Sequence, residues 1–109
     1  MTFVSVIVPC YNEEKTIHLL LEAIYGQSWP REQMEVVISD GMSEDNTRIK
    51  IAEFQSAHPE LKIKVVDNTA RNIPAALNVA LRNADGEFIV RLDAHSIPNE
   101  DYVQMSIEG

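Results

Sequence analysis

An aspartate and a histidine stand two positions apart after an apolar run, in the triplet Asp93-Ala94-His95. Side chains two residues apart in extended backbone project to the same side. A carboxylate and an imidazole placed in this way can share Mn²⁺ or a similar divalent cation, although these ligand types alone do not decide which ion binds. The same residues would also suit a turn cap and an exposed loop histidine, so the triplet alone leaves both interpretations open.

A second carboxylate, Asp40, follows the mostly apolar residues 36–39 and precedes Gly41. If residues 36–39 form a strand, this carboxylate lies at the rim of the sheet. There it can accept the imide N–H of a pyrimidine base or bind a ribose hydroxyl. An Asp-Gly turn is an equally good interpretation of the dipeptide.

Two other segments could meet a base or a diphosphate. The stretch from Pro9 to Glu13 supplies the Tyr11 ring and backbone groups able to cradle a base, with helix capping by Asn12 and Glu13 as the alternative. Arg71 is one of few cations near a predicted strand end, and its guanidinium could bind a base or a diphosphate. A solvated loop arginine is the alternative there.

The single cysteine, Cys10, cannot form an internal disulfide. It has no base beside it in the sequence and is predicted to be a small buried hydrophobe rather than a nucleophile. A chain with one cysteine and no CxxC motif is expected in a reducing compartment, so we predict a cytoplasmic location.

Predicted strands and helices, which must position these residues, alternate along the chain. Apolar, β-branched runs typical of buried strands are followed by segments with the 3.6-residue period of helices. The predicted strands are residues 3–8, 35–39, 63–66 and 87–92, and the predicted helices begin at Glu13, at Ser43 as N-cap, near Pro74 and near Pro98. This βα alternation predicts an α/β fold with a mostly parallel sheet, right-handed crossovers and helices on both faces. If the strand order is 3-2-1-4, the loops after strands one, two and four share one crevice.

Composition narrows the class of protein. The chain has 109 residues, 9 Lys plus Arg, 17 Asp plus Glu, a net charge of -8 and 45% hydrophobic residues, which fit one soluble globular domain. A protein that binds DNA or RNA needs clustered Lys and Arg side chains to contact the phosphates, so we expect no nucleic-acid partner for this acidic chain. For the same reason we expect no contact of this segment with an anionic membrane surface. No run approaches 18 apolar residues, and the first residues lack the pattern of a signal peptide.

Taken together and in order, these motifs resemble the family 2 glycosyltransferases of the GT-A fold. Residues 4–13 are similar to the opening strand and loop of that family, and residues 38–47 to its DDGSxDxT segment, with Ser39 where a first Asp is common. Residues 75–81 resemble the helix before its fourth strand, and residues 92–95 take the place of its DxD metal motif, with His95 at the second Asp. Four motifs in correct order are more specific than any one alone, so the joint pattern outweighs the separate alternatives.

The resemblance implies a Rossmann-like GT-A half that binds a nucleotide-diphosphate sugar, most often a UDP-sugar, with Mn²⁺ or Mg²⁺. It implies that Asp40 binds the uracil and that Pro9, Tyr11 and Glu13 line the base pocket. By the same resemblance Asp93 contacts ribose or metal, and His95 ligates the metal. The cation would offset the diphosphate charge and stabilise the leaving nucleotide diphosphate. A cation between chain and donor also reconciles the acidic composition with an anionic ligand.

The resemblance further implies an acceptor half, with the catalytic base, after Gly109. Residues 1–109 are then expected to be the nucleotide-sugar-binding half of a glycosyltransferase domain, binding the donor without transferring the sugar alone. The implied acceptor is a glycan or a lipid-linked glycan of bacterial exopolysaccharide or cell-envelope synthesis, with inversion at the transferred carbon and a full-length enzyme at the cytoplasmic face of the membrane. An uncovered apolar face near the fourth helix would favour self-association.

Other α/β classes fit less well. A dinucleotide-dependent oxidoreductase would carry G-x-G-x-x-G after the first strand, and this motif is missing there. A phosphoacceptor receiver domain would need a fifth strand ending in Lys. A non-catalytic nucleotide-binding or interaction module with the same βα layout remains the alternative function.

Overall fold

The apolar runs form one parallel sheet in a computed structural model that describes residues 2–108. Its strands are β1 (Val4–Cys10), β2 (Met34–Asp40), β3 (Lys62–Asp67) and β4 (Phe88–Arg91), in the order β3-β2-β1-β4. Val4 pairs with Met34 on one side and with Phe88 on the other. The two central strands are buried along their whole length, whereas the edge strands are partly exposed. The predicted strand order 3-2-1-4 is confirmed.

Helices cover both faces of the sheet, as predicted. They are α1 (Ile17–Tyr25), α2 (Thr47–Ala57), α3 (Ile73–Arg82) and α4 (Tyr102–Glu108), with a 3₁₀ turn at Arg31–Gln33. The larger core joins one sheet face to α1, α2 and α4, and the smaller core joins the other face to α3. The predicted α1 stripe is fully buried and consists of Ile17, Leu20, Leu21 and Ile24. Within residues 2–108, every helix is too short or too polar to cross a membrane.

The start of α2 departs from the sequence prediction. The helix begins at Thr47, not after Ser43 as N-cap. The Ser43 hydroxyl donates to Asp40 Oδ1 over 2.5 Å and accepts the Asn12 N–H over 2.8 Å. Because this hydroxyl links two loops instead of a helix end, the N-cap prediction for Ser43 is wrong.

Two other helices also begin later than predicted. α1 starts at Ile17, after a turn in which the Glu13 carbonyl accepts the N–H groups of Thr16 and Ile17. α4 starts at Tyr102 rather than near Pro98. In both cases the loop at the carboxyl end of the preceding strand is longer than expected, which leaves more backbone free to line a site.

Candidate functional site

A cleft of about 180 Å³ opens at the carboxyl ends of the strands. This edge is where parallel α/β sheets bind ligands. The cleft is lined mainly by the loops after β1, β3 and β4, while the loop after β2 contributes Gly41. All predicted site residues except Asp40 are in the lining: Pro9, Tyr11, Glu13, Arg71, Asp93 and His95. The fold therefore brings together residues that lie up to 86 positions apart in the chain.

The predicted metal-binding triplet lies in a turn, not in extended backbone. β4 ends at Arg91, and both the N–H and the hydroxyl of Ser96 donate to the Asp93 carbonyl, over 3.0 and 2.6 Å. The Asp93 and His95 side chains are 53% and 67% exposed, and both line the cleft. The prediction of extended backbone at the triplet was therefore wrong. Both side chains nevertheless line the same cleft, as the sequence led us to expect.

A carboxylate from the loop after β1 lies beside this turn. Glu13 Oε1 is 3.7 Å from His95 Nδ1. The Thr16 hydroxyl lies 3.0 Å from Glu13 Oε2 and 3.3 Å from the Ala94 carbonyl oxygen. Thr16 thus joins the loop after β1 to the triplet, and Glu13 adds negative charge next to His95.

A ring and a cation form another part of the lining. The Arg71 guanidinium carbon is 5.7 Å from the centroid of the Tyr11 ring, and Arg71 Nη1 is 3.9 Å from Glu44 Oε1. Both side chains are partly exposed, so the ring can still offer a face for stacking and the cation can still meet an anionic group.

Asp40 is placed differently from the other predicted residues. Its side chain is fully buried, and Ser43 donates to both carboxylate oxygens through its hydroxyl and its N–H. Arg48 Nε also donates to Asp40 Oδ2 over 2.7 Å, while Arg48 Nη2 donates to Asp67. These three bonds use most of the acceptor sites of the carboxylate, and its contact with a base stays a prediction.

The neighbouring Gly41 takes the place in the lining that was expected for Asp40. Its N–H donates to the Cys10 carbonyl over 2.8 Å, and a Cβ there would lie 3.4 Å from the Tyr11 ring. This would be an ordinary van der Waals contact, so the loop after β2 packs beside the Tyr11 ring.

Cys10 is buried in the wall of the cleft, as predicted for a small hydrophobe. Burial, and then the negative charges of Asp40, Glu13 and Asp45, raise the pKa of its thiol to about 12. A thiol that stays protonated is a poor nucleophile and a poor metal ligand.

Asn68 is a cleft residue that the sequence analysis missed. It directly follows β3, is 4% exposed and lines the cleft. The hypothesis of a shared crevice left out the loop after β3 because β3 lies farthest from β4, and the crevice was expected where the strand order reverses between β1 and β4. The chain must however cross from β3 to α3, which packs mainly on β1 and β2, and this crossing brings the loop over the cleft.

The metal-binding side chains of the described residues 2–108 are spread over the fold rather than clustered. Nowhere in this range do three His, Cys, Asp or Glu side chains stand together in a way that could hold an ion. Asp93 and His95 can supply one oxygen and one nitrogen ligand, so a cation here would need further ligands from a bound molecule or water.

The sequence model of glycosyl transferase family 2 matches residues 5–108. This chain belongs to that family. Dolichyl N-acetyl-alpha-D-glucosaminyl phosphate 3-beta-D-2,3-diacetamido-2,3-dideoxy-beta-D-glucuronosyltransferase of Methanococcus voltae is 39% identical to it, over 99% of this chain and 34% of that relative. Glycosyltransferase AglE of Haloferax volcanii is 30% identical, over 98% of this chain and 35% of that relative. The chain thus spans about a third of the length of these curated relatives.

Solved glycosyltransferases share the fold. The mannosyltransferase PcManGT from Pyrobaculum calidifontis, solved in complex with GDP-Man and Mn²⁺, superposes with a TM-score of 0.92 at 38% identity, over 98% of this chain and 32% of that one. S. aureus TarS in complex with UDP gives a TM-score of 0.83 at 35% identity, over 99% of this chain and 31% of that one. The family 2 chain therefore has the Rossmann-like half of the GT-A fold.

Proposed function

We propose that this chain binds a nucleotide-diphosphate sugar, with UDP as the predicted nucleotide, as the donor-binding part of a glycosyltransferase. One observation carries the proposal: the aromatic ring of Tyr11, the cation of Arg71 and the ligand pair Asp93 and His95 line one cleft at the carboxyl ends of the strands. These groups match the three parts of such a donor, which are a base, a diphosphate and the cation that accompanies it.

Each lining residue has a chemical role in this proposal. Tyr11, flanked by Pro9, offers a stacking face to the base. Arg71 meets the base or the diphosphate through a guanidinium that is half exposed. Asp93 contacts a ribose hydroxyl or the cation, and Glu13 contributes to the same side of the cleft.

The residues present fit Mn²⁺ or Mg²⁺. Asp93 and His95 would hold the ion, and these two ligands do not decide between the two metals. When bound, the cation offsets the charge of the diphosphate and so assists departure of the nucleotide diphosphate. PcManGT with GDP-Man and Mn²⁺, and TarS with UDP, support a nucleotide diphosphate and a divalent cation for this chain.

The acceptor proposed is a glycan or a lipid-linked glycan. The names of the relatives support it, since one acts on a dolichyl-linked sugar phosphate and another on poly(ribitol-phosphate). Inversion at the transferred carbon, a role in polysaccharide or cell-envelope synthesis and a cytoplasmic reaction belong to the same proposal. We expect these 109 residues to bind the donor, and a protein of the relatives' length to transfer the sugar.

Calorimetric titration of the chain with UDP tests the proposal. We expect binding with Mn²⁺ present and a loss of at least about tenfold in affinity when EDTA removes the ion. Asp93→Asn and His95→Ala should lower the Mn²⁺-dependent affinity to a similar extent. Asp101→Asn is the matched control, because Asp101 lies outside the cleft with an exposed side chain. If UDP binds equally well with and without Mn²⁺, the proposed site is contradicted. Equal effects of Asp93→Asn and Asp101→Asn on the affinity for UDP would contradict it as well.

A second assay separates a transferase from a non-catalytic module. A longer protein that includes these residues should release UDP from a UDP-sugar when an acceptor glycan is added, and His95→Ala should abolish the release. Donor binding without any release in the longer protein would favour the non-catalytic alternative.

A further inference from the structure

The strand β4 lies at one edge of the sheet. It pairs with β1 along one side, and in the part of the chain that the structure describes no strand pairs with its other side. The N–H and C=O groups on the free side of an edge strand can pair with the backbone of another chain. The opposite edge strand, β3, carries Lys62 and Lys64, and lysines on an edge discourage such pairing. The edge of β4 is thus the better candidate for an interaction between chains.

Large apolar side chains are exposed around this edge. Ile97 and Met105 are 67% and 62% exposed, and Tyr102 is partly exposed. A cavity of about 350 Å³ lies between the end of β4 and the start of α4, with Arg91, Ile97 and Tyr102 among its lining residues. α4 itself packs against β4. The edge of β4 therefore continues into an apolar surface, which is typical of an interaction site.

The charged residues at the two ends of β4 project to the same face of the sheet. Val90 is buried in the larger core. Because the side chains of a strand alternate, Glu87, Ile89 and Arg91 project to the other face, and all three are exposed. The Glu87 N–H donates to the Phe3 carbonyl over 2.9 Å, so the backbone stays aligned with the neighbouring chain up to Glu87.

The sequence of this edge is complementary to itself when two copies run in opposite directions. Residues 87–91 are Glu-Phe-Ile-Val-Arg. In an antiparallel pair centred on Ile89, Glu87 lies opposite Arg91 of the second copy, and the phenylalanine lies opposite the valine. A two-fold axis creates each of these pairs twice, and pairs of both kinds stabilise antiparallel strands. A parallel pair in register would instead place like charges opposite each other.

We propose that two copies of this chain associate through β4, as an antiparallel strand pair that joins their sheets into one continuous sheet. This inference does not depend on the proposed function of the cleft. In the single chain Arg91 Nη2 lies 3.6 Å from Asp93 Oδ1, and both side chains are about half exposed. The guanidinium has five N–H donors, so Arg91 can meet the Glu87 carboxylate of the second copy while it stays near Asp93.

Sedimentation velocity of the 109-residue chain tests the association. The chain is studied from about 1 μM to about 1 mM in about 0.15 M salt, which screens the repulsion between two acidic chains. We expect a shift from monomer to dimer as the concentration rises. Backbone amide hydrogen exchange should slow over Phe88–Arg91 in the same range, because pairing protects the amides of the free edge.

Charge reversal assigns the association to this edge. Glu87→Lys and Arg91→Glu each place like charges opposite each other in both pairs, and each should weaken dimerisation at least about tenfold. Mixed in equal amounts, the two variants restore opposite charges in both pairs and should form a heterodimer. The variant with both changes in one chain should dimerise with itself for the same reason.

A matched control separates a local effect from a change in net charge. Glu53→Lys makes the same charge change at an exposed position of α2 and should leave dimerisation unchanged. Because Glu87 and Arg91 are exposed, we expect their variants to fold, and the thermal midpoint of each variant is measured. Recovery of the dimer in the mixture needs no comparison with the native chain.

Several results would overturn the proposal. A chain that stays monomeric over the whole concentration range does not pair through β4. Dimers that persist in both single variants, or a mixture of the variants that stays monomeric, would place the contact elsewhere. Slow exchange of the β4 amides in a monomeric chain would show that another segment of the same chain covers this edge.

Discussion

Glu13 Oε1 lies 3.7 Å from His95 Nδ1, although the two residues belong to loops that follow different strands. The Thr16 hydroxyl holds this arrangement by contacting both Glu13 Oε2 and the Ala94 carbonyl. At this distance the carboxylate is not hydrogen-bonded to the ring, but it places negative charge beside the imidazole, and such outer groups typically tune metal affinity. Thr16 is thus a positioning residue for the predicted ligand His95.

Thr16→Val should weaken Mn²⁺ binding in the presence of saturating UDP by about tenfold. Valine keeps the shape of the side chain but removes the hydroxyl that links Glu13 to the triplet. Thr16→Ser keeps the hydroxyl and should restore the affinity, which a purely steric role would not explain. Free Mn²⁺ is measured by electron paramagnetic resonance. Native affinity in Thr16→Val would refute the link.

Asp40→Asn should destabilise the chain by about 1–3 kcal/mol, because it weakens the buried contacts to Ser43 and Arg48. Asp67→Asn is the matched control: it contacts the same Arg48, but Asp67 is 56% exposed, so the loss should stay below about 1 kcal/mol. Urea denaturation measures both changes. Equal losses of stability would show that the burial of Asp40 does not strengthen its contacts. Titration of Asp40→Asn with UDP tests the predicted contact of Asp40 with uracil.

Most of the fold was predictable because the signals are local. Long apolar runs mark β1 and β2, which are buried along their whole length, and the 3.6-residue period marks α1. The start of α2 was not predictable, because the Ser43 hydroxyl is used by Asp40 and Asn12 rather than by the helix. The Asn12 contact exists only after the loops after β1 and β2 have been brought side by side, and no local pattern reports it.

The site was predictable in the loops after β1 and β4, the two strands between which the strand order reverses. Tyr11 and Asp93 were found for this reason, and both line the cleft. Asp40 was expected in the lining, but the fold places a cation, Arg48, and a hydroxyl group against its carboxylate. Asn68 was missed because its place depends on the path of the crossover from β3 to α3, which is a property of the whole sheet.

Met42→Gly should stabilise the chain by about 0.5–1 kcal/mol. Met42 has φ 63°, in the left-handed region that costs a side-chain-bearing residue about 1–2 kcal/mol, and glycine avoids most of this cost despite its greater freedom in the unfolded chain. Met42→Ala is the control, because it shortens the side chain but keeps the Cβ, and it should bring no gain. Thermal unfolding distinguishes the two; equal midpoints would mean that the turn is not strained.

Glu35→Gln should lower the free energy of unfolding by about 1–3 kcal/mol near neutral pH. The Glu35 carboxylate is fully buried, and it accepts hydrogen bonds from the Ser5 hydroxyl and the Asp85 N–H, with Lys64 Nζ at 3.0 Å. Glu53→Gln, at an exposed position of α2, is the matched control and should change stability by less than about 0.5 kcal/mol.

The same variant should alter the dependence of stability on pH. Burial disfavours the Glu35 carboxylate, but its bonds to Ser5, the Asp85 N–H and Lys64 outweigh burial and hold its pKa below the usual 4.5. A lowered pKa stabilises the folded state above the unfolded value, and this contribution disappears as pH falls through the folded value. Native stability should therefore fall more steeply below pH 4.5 than that of Glu35→Gln. Parallel curves in urea denaturation at several pH values would contradict the assignment.

Cys10 should react with iodoacetamide at about pH 8 roughly a thousandfold more slowly in the folded chain than in urea. With the pKa of the thiol raised from 9.0 to about 12, the thiolate fraction falls by that factor, and burial restricts access further. Mass spectrometry follows the single modification with time, and Cys10→Ser, which has no thiol, gives the background. If the folded chain is modified as fast as the unfolded one, the wall of the cleft at Cys10 opens to solvent, and the negative charges of Glu13 and Asp40 do not suppress the thiolate.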